Sequence, residues 1–197
     1  MFLTEEEILG TSAALKLTCD YFGQNAEMID AFFAANAQRK FTVMGCGSSY
    51  MLSKSAAAVL ASFPETAANA IPAGDYIADP AFWQDTVRGS IVLMLSRSGR
   101  TSEMVWAARK IKQSLGCPII SINAEADNDI TPMSDLELSM PWCHDNSVCQ
   151  TRTVTNLYAA ALLLAARYAK DDGLWKSVHD AAAGNEAFQA KYRPVLE

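Results

Sequence analysis

The sequence carries little positive charge for its length. Its 197 residues include 16 lysines and arginines against 22 aspartates and glutamates, which gives a formal net charge of −6. Nucleic acids and anionic membranes attract basic surfaces, so we expect neither as a main partner. A local positive site is still compatible with an acidic chain.

Long hydrophobic runs are also missing. The first ten residues, MFLTEEEILG, have no basic start and no long apolar run, so we expect no signal peptide. The most apolar stretch, LYAAALLLAARYA at residues 157–169, is rich in alanine and too short to span a bilayer. We interpret this stretch as a buried helix and predict a protein without a membrane partner.

Cysteines are few and show no pairing pattern. There are five of them, at Cys19, Cys46, Cys117, Cys143 and Cys149. Their number is odd and no CxxC pair occurs, which favours a reduced protein of the cytoplasm. Cys143, His144 and Cys149 lie close together in sequence, but their spacing fits no standard zinc pattern. We therefore expect neither a metal nor a cofactor.

Short apolar runs alternate with helix-length segments along the chain. The predicted strands are KFTVMGCG (40–47), ETAANAI (65–71), SIVLMLS (90–96), CPIISIN (117–123) and DLELSMP (135–141). Strands joined by helices of crossover length form parallel sheets covered on both faces. The pattern predicts an α/β fold whose ligand binds beyond the carboxyl ends of the strands, near a switch in strand order.

Both ends of the chain are predicted to be helical. Residues 4–38 favour two helices, and Thr4 with Glu7 forms a plausible capping box at the first. Residues 151–172 and 173–197 favour two more helices, the second of which runs into a polar end.

The first candidate binding turn is VMGCGSSYM. Gly45 and Gly47 allow a sharp bend after a strand, and Ser48 and Ser49 then open a helix whose first amide groups would face an anion. The string nearly fits GxGxxG, but Tyr50 stands in place of the third glycine, so a dinucleotide site is poorly supported. A tight turn with a capping serine is the alternative interpretation.

The second candidate turn is SRSGRT, at residues 96–101. Ser96, Ser98 and Thr101 could aim three hydroxyl groups at one point, and Gly99 lets the backbone approach closely. We interpret the turn as a phosphate site, although it is not a P-loop, because GxxxxGK[ST] is absent. In the alternative interpretation Ser98 belongs only to the turn, Thr101 caps the helix and Arg100 is solvated.

Groups for acid–base chemistry are scarce, since the chain has only two histidines. His144 and Asp145 are weak catalytic candidates, and a surface turn is the alternative for both. His179 falls on the final amphipathic helix, where we expect a structural role. Cys46 is expected to be a small buried residue and no nucleophile.

The two turns taken together resemble a known family. GCGSS at residues 45–49, followed by SRSGRTSE at residues 96–103, is similar to the sugar isomerase (SIS) domain, and the resemblance covers about residues 40–170. The chain most resembles the first half of two-domain phosphosugar isomerases. These include the isomerase part of glucosamine-6-phosphate synthase and the AgaS-type ketose/aldose isomerase or deaminase group. The segments TEEEI, IPAGDYIADP and HDNSVCQTRTVT carry that finer similarity.

The resemblance implies a fold, a ligand and a set of contacts. The fold is a three-layer α-β-α sandwich around a five-stranded parallel sheet, with extra helices at both ends. The ligand is a phosphorylated sugar or amino sugar. Residues that match the family's binding positions are Gly47, Ser48, Ser49, Ser96, Arg97, Ser98, Gly99 and Thr101, with Val148 and Gln150 from the loop of residues 145–151.

The resemblance also implies how the chain is organised. We expect N-terminal helices at residues 1–38, the sugar-phosphate-binding domain at 39–170, and a helix or linker at 171–197 that leads to a second SIS domain. In two-domain relatives that second domain supplies a catalytic glutamate and a lysine. The chain is therefore expected to work as a homodimer or a higher homo-oligomer, either in an isomerase or deaminase or as a non-catalytic sugar-phosphate sensor.

Overall fold

The computed structural model describes residues 2–196. It contains five strands: β1 (Lys40–Gly45), β2 (Ala67–Pro72), β3 (Ile91–Ser96), β4 (Ile119–Asn123) and β5 (Leu136–Ser139). The α-helices of this part of the chain are α1 (Leu3–Leu9), α2 (Thr11–Gln24), α3 (Ala26–Ala35), α4 (Ser48–Ala61), α5 (Ala73–Ala78), α6 (Pro80–Val87), α7 (Ser102–Leu115), α8 (Arg152–Ala169) and α9 (Asp172–Leu196).

The five strands form one parallel sheet in the order β2-β1-β3-β4-β5. The strand order reverses between β1 and β3, which pair from Phe41 opposite Ile91 to Met44 opposite Met94. The predicted α/β fold and its five-stranded parallel sheet are confirmed. In sheets of this order, the loops after the two strands at the reversal open onto a common crevice.

Helices cover both faces of the sheet because successive strand residues point to opposite sides. On β3, Leu93 and Leu95 pack into the core cluster that includes α2, α3, α4, α8 and α9. Val92 and Met94 pack into the other cluster, with α5, α6 and α7. All four side chains are buried, as expected for a parallel sheet sandwiched between two helical layers.

The N-terminal segment differs from the sequence-based prediction. It forms three helices instead of two, and the predicted capping box is wrong. Helix α1 begins at Leu3 without a side-chain cap in the described part of the chain. The Glu7 carboxylate instead reaches a loop about 140 residues further on, because burial of this face of α1 directs it inward.

The C-terminal helix packs back onto the rest of the chain. Helix α9 contacts α2 and α8, and the Ser12 hydroxyl donates to the Asn185 side chain at 2.6 Å. His179 Nδ1 donates a hydrogen bond to the Trp175 carbonyl at 2.9 Å, within the same helix. Within residues 2–196, no helix is both long and apolar enough to cross a membrane.

The end of β1 leaves no room for a side chain. A Cβ at Gly45 would lie 2.6 Å from the Ser49 carbonyl carbon and 2.7 Å from the Tyr50 nitrogen. These are backbone atoms of the first turn of α4, so no rotamer change could relieve the overlap. Gly45 therefore lets α4 start directly against the strand that precedes it.

We predict that Gly45→Ala destabilises the protein by about 1–3 kcal/mol, the usual range for overpacking a filled site. Thermal or urea unfolding measures the change. The matched control is Gly184→Ala on α9, where an added Cβ has nothing within 4 Å and should be neutral or slightly stabilising. Equal stability of the two variants would contradict the close approach of β1 and α4.

Candidate functional site

The two candidate turns meet at the carboxyl edge of the sheet. The β1–α4 turn and the β3–α7 turn follow neighbouring strands, and together they line a cavity of about 100 Å³. Nine residues line this cavity: Cys46, Ser49, Leu95, Ser96, Arg97, Ser98, Thr101, Met104 and Gln150. The strand reversal therefore brings together residues that are about fifty positions apart in the sequence.

Hydroxyl groups of the β3–α7 turn are already oriented by the backbone. The Ser96 hydroxyl accepts a hydrogen bond from the Gly99 amide at 3.0 Å, and the Ser98 hydroxyl accepts one from the Arg100 amide at 3.1 Å. A hydroxyl that accepts from the backbone keeps its own proton to donate. Ser96 and Ser98 can thus both donate to an anion in the cavity.

Thr101 occupies the N-cap position of α7, but its side chain does not cap the helix. Within residues 2–196, its side chain makes no capping hydrogen bond to the first turn. The alternative interpretation of Thr101 as a helix cap is therefore wrong for this structure. The uncapped start of α7 leaves amide groups without helical partners beside a cavity that Thr101 also lines.

The β4–β5 connection holds the β3–α7 turn in place. The Arg97 carbonyl accepts from the Ala124 amide at 2.9 Å, and the Gly99 carbonyl accepts from the Ile130 amide at 3.2 Å. Gly99 has a φ of 62°, and a Cβ there would fall 2.2 Å from the Asn128 side-chain oxygen. The glycine is thus required both by backbone conformation and by the packing of Asn128.

The β1–α4 turn presents its two serines differently. Gly47 has a φ of 55° and takes the N-cap position of α4, which the alternative interpretation had given to a serine. Ser49 is buried and lines the cavity, whereas Ser48 is exposed and does not. Cys46 also lines the cavity, and burial, followed by the nearby Glu103 carboxylate, raises the pKa of its thiol.

Arg97 links the β3–α7 turn to the loop of residues 145–151. Its terminal nitrogen Nη1 donates to the Ser147 carbonyl at 2.8 Å and to the Asp145 carbonyl at 3.3 Å. The Arg97 side chain also lines the cavity. The neighbouring Arg100 turns away and pairs with Glu125 and Asp129 at 3.2 and 3.6 Å. This placement matches the solvated role that the alternative interpretation assigned to Arg100.

The loop of residues 145–151 places one side chain in the cavity and one outside. Gln150 lines the cavity, and its Oε1 atom is buried without a hydrogen-bond partner among the described residues. Val148 is 93% exposed and lies outside the lining. An unsatisfied buried acceptor beside the hydroxyls is an open position for a ligand donor.

Asp145 holds the loop to the start of α8. Its carboxylate accepts from the Thr151 amide at 2.7 Å and from the Thr153 amide at 2.9 Å, and Arg152 Nε lies 3.6 Å from its other oxygen. Asp145 is only 1% exposed, so a surface turn is wrong for this residue. Its carboxylate does not line the cavity.

His144 lies beside Glu125 at the same edge of the sheet. The two side chains approach to 3.5 Å between His144 Nδ1 and Glu125 Oε1. Cys143, next to it, donates from Sγ to the Met140 carbonyl, and burial raises the pKa of this thiol to about 12. A protonated thiol is a poor metal ligand. No cluster of three metal-ligating side chains occurs in the chain between residues 2 and 196.

Glu7 is the buried acid that sequence reasoning missed. The Glu7 carboxylate is 3% exposed and accepts from the Asn146 amide at 2.7 Å, the Ser147 amide at 3.0 Å and the Ser147 hydroxyl. Burial alone would raise the pKa of Glu7, but these bonds and the nearby Arg152 charge outweigh it and lower the pKa. The segment TEEEI contains three consecutive glutamates, and the sequence alone does not indicate which of them faces the interior.

A larger cavity of about 640 Å³ lies near the opposite, amino-terminal end of the sheet. It is lined by segments that precede β1 and β2 and by the end of α8, among them Arg39, Thr66 and Tyr168. Ligands of open parallel sheets bind at the carboxyl edge, at the strand reversal. We therefore assign the candidate site to the smaller cavity, where the oriented hydroxyls converge.

Comparison with known structures shows the same architecture in proteins of very different sequence. A tagatose-6-phosphate ketose/aldose isomerase from Escherichia coli matches with a TM-score of 0.83 at 20% identity, over 97% of this chain and 54% of that chain. A glucosamine-6-phosphate deaminase from Thermotoga maritima matches with a TM-score of 0.76 at 22% identity, over 95% of this chain and 54% of that one. The chain thus spans about half the length of these two proteins.

A third structure has nearly the same length as this chain. It is a protein of Escherichia coli CFT073 in complex with a ligand, with a TM-score of 0.69 at 15% identity, over 90% of this chain and 95% of that chain. Similarity at these identities establishes the fold. A comparison with curated proteins found no match.

The family comparison covers the sheet, both turns and the loop of residues 145–151. The model of the SIS domain matches residues 35–167, which is more than half of the chain. That segment contains all ten positions at which the sequence predicted substrate contacts. The chain belongs to the SIS domain family.

Proposed function

We propose that this chain binds a phosphorylated sugar at the carboxyl edge of its sheet, as the binding domain of a ketose/aldose phosphate isomerase or an aminosugar-phosphate deaminase. The observation that carries the proposal is the set of hydroxyls from Ser96, Ser98 and Thr101 around one cavity at the strand reversal. Two of these hydroxyls accept from the backbone and keep their protons for an anion. The uncapped start of α7 adds amide groups and the positive end of a helix dipole.

The size of the cavity supports a binding mode in which the phosphate lies inside the cavity and the sugar lies outside it. Pockets that enclose a whole small molecule measure about 300–1,000 Å³, whereas this one measures about 100 Å³. It has room for a phosphate group but not for a hexose as well. The sugar would extend outward past Ser49 and Gln150, toward a surface that another domain or subunit covers.

The residues of this chain would bind and orient the ligand. Phosphate bound at one end fixes the position of the sugar carbons, which is how binding energy at a remote group assists a reaction. Aldose–ketose isomerisation also needs ring opening, a base near the reacting carbon and a donor near the oxygen. The cavity residues within the described part of the chain include no carboxylate and no histidine. The base would then come from a second domain or a partner subunit.

A sugar-phosphate sensor without turnover is the second candidate. The same lack of a carboxylate or histidine in the cavity favours it. Turnover separates the two candidates: NMR detection of a ketose phosphate converting to its aldose, or of released ammonia, supports the enzyme. Saturable binding with no conversion, by the chain in its native assembly, supports the sensor.

We predict that the chain binds hexose or hexosamine 6-phosphates and does not bind the unphosphorylated sugars. Calorimetric titration checks this. Ser98→Ala and Thr101→Ala should each weaken binding by about 1–3 kcal/mol, the contribution of a hydrogen bond to a charged group. The control is Ser102→Ala, an exposed hydroxyl next to the site, which should bind like the wild type. Unchanged affinity in both site variants would refute the phosphate assignment.

We predict different effects for the two arginines of the turn. Arg97→Met should weaken sugar-phosphate binding, since the Arg97 side chain lines the cavity and anchors the loop through Ser147. Arg100→Met should leave binding nearly unchanged, because Arg100 pairs with acids outside the cavity. Each variant loses one charge from the same turn, so a general electrostatic effect would weaken binding equally in both and contradict the prediction.

A further inference from the structure

We infer that Glu7 is a positioning residue for the sugar-phosphate site, which it serves by holding the loop of residues 145–151 against the cavity. The inference rests on the proposed function for its consequence in binding. It assigns a role to helix α1, which lies outside the segment that matches the SIS domain. Glu7 is not one of the residues that line the cavity, and its hydrogen bonds go to Asn146 and Ser147 of the loop, so it would act through the loop.

The contacts of Glu7 converge on one short piece of backbone. Its carboxylate accepts from the Asn146 amide at 2.7 Å and from the Ser147 amide at 3.0 Å, and the Ser147 hydroxyl completes the set. These two residues lie 139 and 140 positions away in the sequence. Consecutive amides and a hydroxyl that share one carboxylate fix both the position and the orientation of this part of the loop.

Arg97, which lines the cavity, contacts Ser147 as well. Its guanidinium donates to the Ser147 carbonyl at 2.8 Å, while Glu7 accepts from the amide and hydroxyl of Ser147. Glu7 and Arg97 are therefore connected through hydrogen bonds to one loop residue, Ser147. Gln150, which lines the cavity, lies three positions further along and depends on this anchor for its place.

Burial makes the arrangement sensitive to the loss of the charge. A buried carboxylate is tolerated only when it is hydrogen-bonded and paired, and Glu7 has three donors with the Arg152 charge nearby. If Glu7 loses its charge, the two amides lose a strong acceptor. The loop is then held by Arg97 and Asp145, and it would spend part of its time away from the cavity.

The test compares Glu7→Gln with the wild type in the absence of any ligand. Hydrogen–deuterium exchange of the peptide that covers residues 144–153 should be faster in E7Q, because the neutral amide oxygen of Gln is a weaker acceptor for the Asn146 and Ser147 amides than the carboxylate, and its NH2 group cannot accept from the Ser147 hydroxyl. Glu6→Gln is the matched control: it removes an equal charge from the adjacent, exposed position of α1 and should exchange like the wild type. Unchanged exchange in E7Q would overturn the inference.

The second arm measures affinity for the hexose 6-phosphate that the wild type binds best. We expect E7Q to bind about tenfold more weakly, as it would if the loop were in its binding form about a tenth of the time. Glu6→Gln should bind like the wild type. Faster loop exchange in E7Q with wild-type affinity would overturn the positioning role.

Ser147→Ala keeps the inference testable if E7Q does not fold. This variant removes the hydroxyl contact to Glu7, together with the contact of the same hydroxyl to the Cys149 carbonyl, but leaves both amide bonds to Glu7 in place, so it should shift exchange and affinity in the same direction by a smaller factor. Wild-type values of both in S147A, with E7Q unfolded, would overturn the inference. A wild-type protein that binds no sugar phosphate would instead refute the proposed function and the role of Glu7 in binding, whereas the exchange arm would still decide whether Glu7 orders the loop.

Discussion

The reversal of strand order between β1 and β3 is the constraint on which the site depends. Because these two strands are neighbours in the sheet, the turns that follow them lie side by side, although about fifty residues separate them in sequence. Gly45 lets α4 begin directly against β1, and Gly99 lets the second turn pack against Asn128. Close backbone approach at these two glycines thus positions the two turns, and the serine side chains of the turns supply polar lining to the cavity.

Charged groups at this edge of the sheet divide into two sets with different roles. Glu7 and Asp145 are buried and use their oxygens to bind loop amides, so that neither carboxylate lines the cavity. Arg97 lines the cavity and donates to the carbonyls of Asp145 and Ser147 in the loop. The acids therefore order the loop without repelling an anion directly, while the cavity keeps hydroxyls, helix amides and one guanidinium.

The sheet, its parallel strands and the two turns could be predicted because each rests on local sequence signals. Short apolar runs bounded by glycine or proline marked the strands, and the motifs GCGSS and SRSGRT marked the turns. The role of Glu7 could not be predicted in this way, since its partners lie about 140 residues away and local pattern suggested a capping box. The sequence left a surface turn open as the alternative for Asp145, whereas the side chain is buried, with its carboxylate bound to the Thr151 and Thr153 amides and close to Arg152. Those partners are near in sequence, but the polar loop sequence does not show whether its acid turns inward toward the following helix.

The proposed phosphate site in the β3–α7 turn can be tested with a crystal structure of the chain bound to a hexose 6-phosphate. We expect phosphate density inside the cavity, within hydrogen-bond distance of the Ser96, Ser98 and Thr101 hydroxyls, with the sugar extending past Ser49 and Gln150. Phosphate bound elsewhere, for example in the larger cavity beside Arg39 and Tyr168, with this cavity empty, would contradict it.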